Sequence, residues 1–178
     1  MKILFVSDVP VEKPTSGSEQ MLNSQATRLA DADLEVYAIT RQSCPPECIV
    51  RDVSGVLEGS YRASPKHILS FLLSVIKYPV RFYNRFKHNI PFSLIIGHQP
   101  FNLFVLFAFR KIRKVPLLYF FHSPSHEEYL LMHENRSTLR NCFAAKIRRI
   151  IENFCILKSN KIMVASQFMK QKVIDIHG

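Results

Sequence analysis

Short apolar runs alternate along this chain with longer segments in which apolar residues recur every three or four positions. Runs of the first kind predict β-strands, at residues 2–7, 34–40, 48–53, 92–96, 115–121 and 161–165. Segments of the second kind predict helices, at residues 17–31, 65–87, 101–113, 125–133, 138–157 and 166–176. Strands that are apolar at almost every position are typical of a parallel sheet covered on both faces.

Two of the predicted helices carry long apolar stripes that we expect to face the core. In the segment 65–87 the stripe consists of Leu69, Leu72, Ile76, Val80, Tyr83 and Phe86. In the segment 138–157 it consists of Leu139, Phe143, Ile147, Ile150, Phe154 and Leu157. Pro79 should kink or split the first helix, because proline lacks an amide hydrogen and its ring crowds the preceding turn.

The regular alternation of strand and helix predicts an α/β fold. We expect a doubly wound, mainly parallel sheet flanked by helices, Rossmann-like, in which residues 1–178 form one domain. Ligands of such sheets bind beyond the carboxyl ends of the strands. The residues that follow the strands are therefore candidates for a site, and they include the helix start at Gly17, Arg41, His98 and His122.

Composition excludes several classes of protein. A chain of 178 residues with 47% hydrophobic residues can bury a core, which excludes a disordered tail. Four cysteines are too few for a disulfide scaffold, and the apolar run after Met1 is too short for a signal peptide and leads to no cleavage site. We therefore expect a cytoplasmic protein with reduced thiols, either free or peripheral at the inner face of the membrane.

The net charge of +10 is concentrated in one part of the sequence. Between Gly59 and His126 there is no aspartate or glutamate, and the ten lysines and arginines of that stretch equal the whole excess. Such one-sided charge implies an anionic partner: a membrane surface, a polyanion or a phosphate-bearing ligand. A nucleic acid is not expected, because no recognisable reader motif accompanies the charge.

One stretch approaches the length of a membrane span. No fully charged residue occurs from Asn89 to Phe109, and a spanning helix needs about 20 apolar residues. Pro91, Gly97 and Pro100 interrupt the stretch, so we expect a strand, a turn and a helix instead.

The segment 66–88 combines basic and aromatic residues. Lys77, Arg81, Arg85 and Lys87 are predicted to contact an anionic membrane surface, with the neighbouring rings at the level of the lipid headgroups. The alternative is that the rings belong to the core and the cations form a solvated rim. Both interpretations fit the sequence.

Four motifs occur in a fixed order along the chain. The start MKILFV leads to the loop SGSE at 16–19, SLIIGHQP occupies 93–100, PLLYFFHSP occupies 116–124, and SNKIMVASQFM occupies 159–169. In this order and spacing they resemble the N-terminal domain of a family 4 glycosyltransferase, which has the GT-B fold. Ser16 departs from the pattern, since the family usually has a glycine there. We also expect the family's C-terminal nucleotide-sugar-binding domain to be absent, because the sequence stops at Gly178, about where the family crosses to it.

The resemblance implies that the chain is the acceptor-binding half of a retaining, hexosyl-transferring enzyme. Such an enzyme moves a sugar from a nucleotide sugar to a hydroxyl of a sugar or lipid-linked acceptor, with no cofactor and no metal. Without a donor domain the chain is expected to be inactive. The alternative, from a different class, is a non-catalytic module that binds the membrane or the acceptor and recruits a separate donor-domain chain.

The helix start at Ser16, Gly17 and Ser18 is the candidate contact for the donor phosphates. A helix N-terminus offers free backbone N–H groups and the positive end of the helix dipole, and glycine lets a ligand approach the backbone closely. The alternative is an ordinary capped helix, in which Ser16 or Ser18 is the cap and Glu19 stabilises the first turn.

His122 is the candidate catalytic residue. It ends a strand among polar neighbours, and its imidazole can donate to a sugar hydroxyl near neutral pH. The resemblance implies that the histidine of this strand lies at the transfer centre. His98, Glu127 and Glu128 are candidate acceptor-binding residues. The alternatives are a structural histidine at a strand end and a solvated helix start.

A metal site is not expected. His122 and His126 have a spacing that could bind zinc, but Pro124 lies between them and no cysteine or aspartate completes a set. Cys44 and Cys48 lack a second pair nearby, so reduced thiols are the expected state.

Overall fold

The computed structural model describes residues 1–12, 16–42, 48–63, 68–87, 90–133 and 138–178, and in the helix that begins at residue 68 it describes side chains from residue 70 onward. Within these residues the strands are β1 (Lys2–Val6), β2 (Glu35–Gln42), β3 (Cys48–Val53), β4 (Val56–Arg62), β5 (Leu94–Gly97), β6 (Leu117–Phe121) and β7 (Lys161–Val164). The helices are α1 (Gly17–Asp31), α2 (Ile68–Lys87), α3 (Pro100–Ala108), α4 (Ser125–Met132), α5 (Leu139–Lys158) and α6 (Gln167–His177).

The described strands form one sheet, in the order β3-β4-β2-β1-β5-β6-β7. β1 lies at its centre and pairs in parallel with β2 and β5. The pairs β2–β4, β5–β6 and β6–β7 are also parallel, and β3 runs antiparallel to β4. The predicted mainly parallel α/β sheet is confirmed, and it brings the carboxyl ends of β1, β5 and β6 side by side.

A β-hairpin at one edge of the sheet was not predicted from the sequence. It joins β3 to β4 through Ser54 and Gly55, whose φ angles are 52° and 80°. Two central residues with positive φ form the tight hairpin turn that suits the natural twist of strands. The Asp52 carboxylate closes the turn by accepting a 2.9 Å hydrogen bond from the backbone N–H of Gly55.

Apolar side chains fill both faces of the sheet. On one face α2, α3 and α5 cover a cluster that includes Leu4, Ile39, Phe82, Leu106 and Ile156. On the other face α1 covers a cluster that includes Ile3, Phe5, Leu22 and Val36. β1 is buried along its whole length because its alternate side chains enter the two clusters.

Helix α3 ends earlier than the pattern indicated. We predicted a helix over 101–113 followed directly by a strand, whereas α3 ends at Ala108 and β6 begins at Leu117. Arg110 has a φ of 56°, and the backbone N–H of Lys111 donates to the carbonyl of Leu106 over 2.9 Å. A left-handed residue with this bond ends a helix, and here it is the cause of the difference.

The prediction that the apolar stripes of the two long helices face the core was wrong in part. In α2 the side chains of Val75, Phe82, Tyr83 and Phe86 are buried, but Leu72 is 50% exposed, as is much of Ile76. Pro79 was predicted to kink or split this helix. It does not split it, since α2 continues through Pro79 to Lys87.

The stripe of α5 lies largely on the surface, where Leu139 is 92% and Phe143 66% exposed. The buried face of α5 instead carries Ala145, Glu152, Cys155 and Ile156. Cys155 lies against α3, with its Sγ 3.4 Å from the carbonyl oxygen of Pro100. Small and polar side chains thus fit between α3, α4 and α5, and this packing overrides the apolar periodicity.

The stretch predicted as a strand, a turn and a helix rather than a membrane span does form β5 and α3. None of the helices in the described ranges combines the length and the apolarity that crossing a bilayer requires.

Candidate functional site

The candidate site lies where β1, β5 and β6 end next to one another. The residues that follow these strands are Ser7 and Asp8, His98, and His122. Backbone hydrogen bonds hold the ends in register, since the N–H of His98 donates to the carbonyl of Val6 over 2.9 Å. The parallel sheet therefore brings together the two histidines that the sequence analysis singled out.

The two histidine rings contact each other directly. Nδ1 of His98 lies 2.9 Å from Nε2 of His122, within hydrogen-bond distance. His98 is 3% exposed and stacks on Phe120, with ring centres 5.3 Å apart. His122 stacks on the same phenylalanine at 4.7 Å and is less deeply buried. Phe120 thus holds both rings at the sheet edge.

A third side chain, Gln25 on α1, fixes the protons of the pair. Oε1 of Gln25 lies 3.0 Å from Nε2 of His98, so this nitrogen carries a proton and donates to it. Nδ1 of His98 is then an acceptor, and Nε2 of His122 must donate to it. Nδ1 of a neutral His122 keeps its lone pair and can accept a hydrogen bond from a ligand hydroxyl.

Burial keeps both imidazoles neutral. It lowers the pKa of His98 to about 3, with a smaller contribution from the neighbouring His122. Burial likewise lowers the pKa of His122 to about 4. The cause is that a charged imidazole loses its hydration when it is removed from water. At neutral pH the pair is therefore a polar, uncharged hydrogen-bonding unit.

Asp8 connects the end of β1 to the start of α3. Its two carboxylate oxygens accept hydrogen bonds of 3.3 Å from the backbone N–H groups of Phe101 and Asn102. The N–H of Asp8 donates in turn to Oε1 of Gln99 over 2.9 Å. Gly97 allows this close arrangement, because a Cβ there would lie 2.7 Å from a methyl group of Leu103.

A pocket of about 240 Å³ opens at the same edge of the sheet, next to Gln99, the residue that follows His98. Its lining includes Asp8, Arg41, Ser125, Glu128, Tyr129 and Arg148. Arg148 lies between two rings, with its Cζ 4.9 Å from the ring centre of Phe101 and 4.5 Å from that of Tyr129. Burial and then the charge of Arg41 lower the pKa of Arg148, which remains a cation near pH 7.

The candidate donor-phosphate contact forms an ordinary capped helix start. The Ser16 hydroxyl accepts from the N–H of Glu19, and the Glu19 carboxylate accepts from the N–H of Ser16 over 3.0 Å. Ser16 and Ser18 also join their hydroxyls over 3.2 Å. A Cβ added to Gly17 would meet nothing within 4 Å, so the protein around this residue leaves open space.

The two candidate glutamates of α4 point to different places. Glu128 lines the pocket and accepts a hydrogen bond from the hydroxyl of Ser123, the residue after His122. Glu127 forms an ion pair with Lys172 on α6 and does not line the pocket. The structure therefore brings Glu128, but not Glu127, to the pocket beside the histidines.

The four basic residues predicted at the membrane lie on one helix, α2. Lys77, Arg81, Arg85 and Lys87 are all exposed. The aromatic rings between them, Phe82, Tyr83 and Phe86, are buried in the core. The first turns of the same helix expose Leu72, Leu73 and Ile76.

Potential metal ligands do not gather into a site. In the part of the chain that the structure describes, no three histidine, cysteine, aspartate or glutamate side chains are placed so that they could hold a metal ion. Cys44 lies outside the described residues, whereas Cys48, Cys142 and Cys155 are free thiols.

Sheet order, flanking helices and the position of the site define a Rossmann-like half of a GT-B glycosyltransferase. The model of the family Glycosyltransferase Family 4 matches residues 15–178, and the chain belongs to this family. The predicted family and fold class are therefore confirmed. No curated protein matches the sequence.

Solved structures of sucrose-phosphate synthase from Thermosynechococcus elongatus share the fold. One superimposes on 98% of this chain with a TM-score of 0.70 and 14% identity, and the match covers 45% of its own chain. A second, of a shorter form, gives a TM-score of 0.62 and 13% identity, and covers 97% of this chain and 81% of its own. The chain thus spans less than half of the first of these relatives.

The sequence analysis missed two side chains at the site. Gln25 and Arg148 lie on α1 and α5, where each occupies a polar position of an amphipathic helix and no motif marks it. Arg41 was found among the residues that follow strands, because the ends of parallel strands meet at one edge.

Proposed function

We propose that this chain is the acceptor-binding half of a retaining glycosyltransferase that transfers a hexosyl group from a nucleotide sugar to a hydroxyl. The observation that carries the proposal is the buried, neutral pair of His98 and His122 at the carboxyl edge of the sheet. Retention follows from the family resemblance. The donor lobe belongs either to a longer chain or to a separate partner chain, and the nucleotide sugar is a substrate rather than a cofactor. No metal takes part in the proposal.

In this proposal His122 orients the reacting hydroxyl and does not act as a general base. A pKa of about 4 makes its imidazole a weak base at neutral pH, so general-base catalysis would be inefficient. Its Nδ1 can instead accept a hydrogen bond from the acceptor or sugar hydroxyl and fix the angle of attack. His98 holds the ring through the 2.9 Å contact, and Glu128 offers a carboxylate to further hydroxyls of the acceptor.

The start of α1 is proposed to meet the donor phosphates once the donor lobe closes. The N–H groups of Gly17 and Ser18 belong to the first turn, where backbone donors have no partner within the helix. The space at the Cα of Gly17 supports the idea, because a ligand can approach where no protein atom lies within 4 Å. Glu127 stays a predicted acceptor contact that would require its ion pair with Lys172 to open.

The test is a transfer assay with three samples: the 178-residue chain alone, a family 4 donor lobe alone, and the two together. Radiolabelled nucleotide sugars would be offered with a panel of sugar and lipid-linked acceptors. We expect transfer only in the mixture, because the phosphate site is completed by both lobes. Turnover by the chain alone would reject the half-enzyme proposal, as would a mixture that transfers no sugar from any donor of the panel.

A second candidate function is a non-catalytic membrane- or acceptor-binding module that recruits a separate donor-domain chain. It is favoured by α2, which exposes Leu72, Leu73 and Ile76 at one end and the four basic residues at the other. Apolar residues can enter the headgroup region while cations bind anionic lipid. In this candidate the face would contact the inner leaflet of the membrane, as expected for the cytoplasmic location that the sequence analysis predicts.

Flotation with vesicles separates this candidate from the first. We expect the chain to float with vesicles that contain phosphatidylserine at low salt, and to be released at high salt because screening weakens surface attraction. The double variant Arg81→Gln/Arg85→Gln should lose binding, whereas the matched pair Arg113→Gln/Lys114→Gln, exposed elsewhere, should keep it. Equal loss in both pairs would indicate attraction by net charge alone, and no flotation at low salt would reject the membrane role.

A further inference from the structure

The pocket contains two arginines that form no direct ion pair with the described residues. Arg41 comes from the end of β2 and Arg148 from α5, and both line the pocket of about 240 Å³. Among the described residues, neither guanidinium donates a hydrogen bond or forms an ion pair. Each keeps its charge at physiological pH and presents five N–H donors in a planar fork. The pocket therefore offers many charged donors to a ligand.

Aromatic rings hold both arginines in place. Arg148 lies between Phe101 and Tyr129, within 5 Å of each ring centre. Cζ of Arg41 lies 5.8 Å from the ring centre of Phe71. Contacts of this kind use the flat face of the guanidinium and leave its N–H edge available. The donors are thus positioned before a ligand arrives, which lowers the entropic cost of binding.

The carboxylates of the same pocket are already engaged elsewhere. Both oxygens of Asp8 accept from backbone N–H groups at the start of α3. Glu128 accepts from the hydroxyl of Ser123. Neither carboxylate lies within ion-pair distance of Arg41 or Arg148 in the described structure. Arg41 repels Arg148, whereas Asp8 and Glu128 attract it from beyond ion-pair distance. A bound anion would offer both arginines the direct contacts that these carboxylates do not make.

A neutral donor lies beside them. The hydroxyl of Ser125 lines the pocket, is buried, and finds no hydrogen-bond partner among the described residues. A buried hydroxyl without a partner is costly, because it has lost its bonds to water. An oxyanion in the pocket would give this hydroxyl an acceptor.

We propose that this pocket binds a phosphate monoester carried by the acceptor, with Arg41, Arg148 and Ser125 as the phosphate-binding side chains. Near pH 7 such a group carries close to two negative charges and three strong acceptor oxygens, which match two guanidinium groups and one hydroxyl. A carboxylate has one charge and two acceptor oxygens, so it could engage fewer of these donors. The pocket volume lies just below that of sites for drug-sized molecules, so the ligand is a small phosphorylated polyol or sugar.

This proposal depends on the proposed function only in calling the ligand an acceptor. The pocket adjoins the histidine pair along the chain, because Gln99 of its lining follows His98 and Glu128 is bonded to Ser123, the residue after His122. A hydroxyl of the same molecule can then be presented to His122. The anion serves as an anchor that selects charged acceptors over neutral ones.

Calorimetric titration of the chain tests the proposal without any sugar donor. The probes are inorganic phosphate, glucose 6-phosphate, glucuronate and glucose. We expect saturable binding of both phosphates, weaker binding of glucuronate and none of glucose. Arg41→Met and Arg148→Met should each weaken phosphate binding about tenfold or more, in line with the strength of hydrogen bonds to charged groups. Arg140→Met removes a cation from an exposed position of the same helix and should have no effect.

Several results would overturn the proposal. They are glucose binding as tightly as glucose 6-phosphate, glucuronate binding as tightly as phosphate, or wild-type affinity in Arg148→Met. Arg148→Lys keeps the charge but lacks the planar fork, so its affinity for phosphate should fall less than that of Arg148→Met. The lysine variant replaces the methionine variant in the test if the latter does not fold. Phosphate binding with no sugar transfer would reject only the proposed function, whereas transfer to neutral acceptors without phosphate binding would reject only this inference.

Discussion

Which nitrogen of His122 carries its proton is decided at Gln25, two hydrogen bonds away. Gln25 accepts from Nε2 of His98, and Nδ1 of His98 accepts from Nε2 of His122. Because both rings are neutral, each proton position determines the next one. Gln25 therefore acts as a positioning residue for a group that it does not touch.

Replacement of Gln25 by leucine should release both histidine protons. Without its acceptor His98 can exchange tautomers, and His122 then presents an N–H to the ligand for part of the time. In the two-lobed enzyme, meaning this chain together with a donor lobe, we expect kcat to fall about 10- to 100-fold and KM for the donor to stay unchanged. This is the range seen for residues that orient metal-binding histidines. Ring ¹⁵N shifts in NMR spectra report the tautomers directly. Gln20→Leu, at an exposed position of α1, is the control, and unchanged ring shifts in Gln25→Leu would contradict this role.

The buried histidines should make stability depend on pH. In the unfolded chain they titrate near pH 6.5, but in the fold the pKa of His98 is about 3 and that of His122 about 4. Between pH 6.5 and 4 the unfolded state binds protons that the folded state does not, so the free energy of unfolding decreases as the pH falls. Each histidine contributes about 1.4 kcal/mol per pH unit in this window. Urea unfolding at several pH values should give a shallower slope for His98→Gln than for wild type, and equal slopes would contradict the burial argument.

At the level of elements, two glycines are expected to differ: Gly17 at the start of α1 is proposed to contact the donor, whereas Gly55 serves the turn between β3 and β4. Gly17 has open space at its Cα, whereas Gly55 has a φ of 80° and a Cβ there would lie 3.2 Å from that of Ala30. Gly17→Ala should leave the melting temperature unchanged or slightly raised, since alanine is the better helix former by up to about 1 kcal/mol. It should raise KM for the nucleotide sugar in the two-lobed enzyme. Gly55→Ala should lower the melting temperature and leave KM for the nucleotide sugar unchanged. An unchanged KM for the nucleotide sugar in Gly17→Ala would show that the start of α1 is not part of the donor site.

A buried carboxylate ties the β3–β4 hairpin to the segment that leads into α1. Glu58 is fully buried and accepts from the N–H of Val11 over 2.8 Å and from the hydroxyl of Thr40 over 2.7 Å. It also pairs with Arg51 at 2.8 Å. Glu58→Gln removes the charge and leaves Arg51 only its ion pair with Glu12, so we expect a loss of about 2 kcal/mol in the free energy of unfolding. Urea unfolding measures this loss, and Glu35→Gln at an exposed position is the control. A loss no larger than that of the control would show that the Glu58 network does not stabilise the fold.

The elements that could be predicted are those whose own residues decide them. β1 after Lys2 and the whole of β5 consist of apolar residues and glycine, a pattern typical of the middle of a parallel sheet. β4 was missed because it contains Glu58, Gly59 and Ser60, residue types that are typical of loops. They fit a strand here because Arg51 pairs with Glu58 and the rings of α2 pack against Gly59. The faces of α2 and α5 could not be assigned from periodicity, since each helix has more apolar residues than its neighbours can bury.

The candidate site was predictable only where strands end. Topology places the ends of β5 and β6 side by side, so His98 and His122 could be expected to meet. Arg148 and Gln25 reach the same edge from helices whose packing angles no local pattern specifies. The separation of Glu127 from Glu128 has the same origin, because it depends on where α6 presents Lys172.

For the whole molecule, the chain presents one edge of a parallel sheet as a polar surface with a histidine pair, an arginine pocket and an open helix start. In our proposals these features would serve three parts of one transfer reaction: orientation of the attacking hydroxyl, an anchor for the acceptor, and a contact for the donor. GT-B enzymes carry out transfer between two lobes, so the proposed function requires a donor lobe that faces this surface.

Sugar transfer by the two-lobed enzyme, compared between wild type and His122→Ala, tests the central claim most directly. Labelled product would be measured at saturating donor, with circular dichroism confirming that the variant is folded. We predict a decrease in kcat of about 100-fold, the loss that misplacing a reacting group by about 1 Å can cause. A folded His122→Ala variant that transfers sugar at the wild-type rate would contradict the claim that this edge of the sheet is the site of transfer.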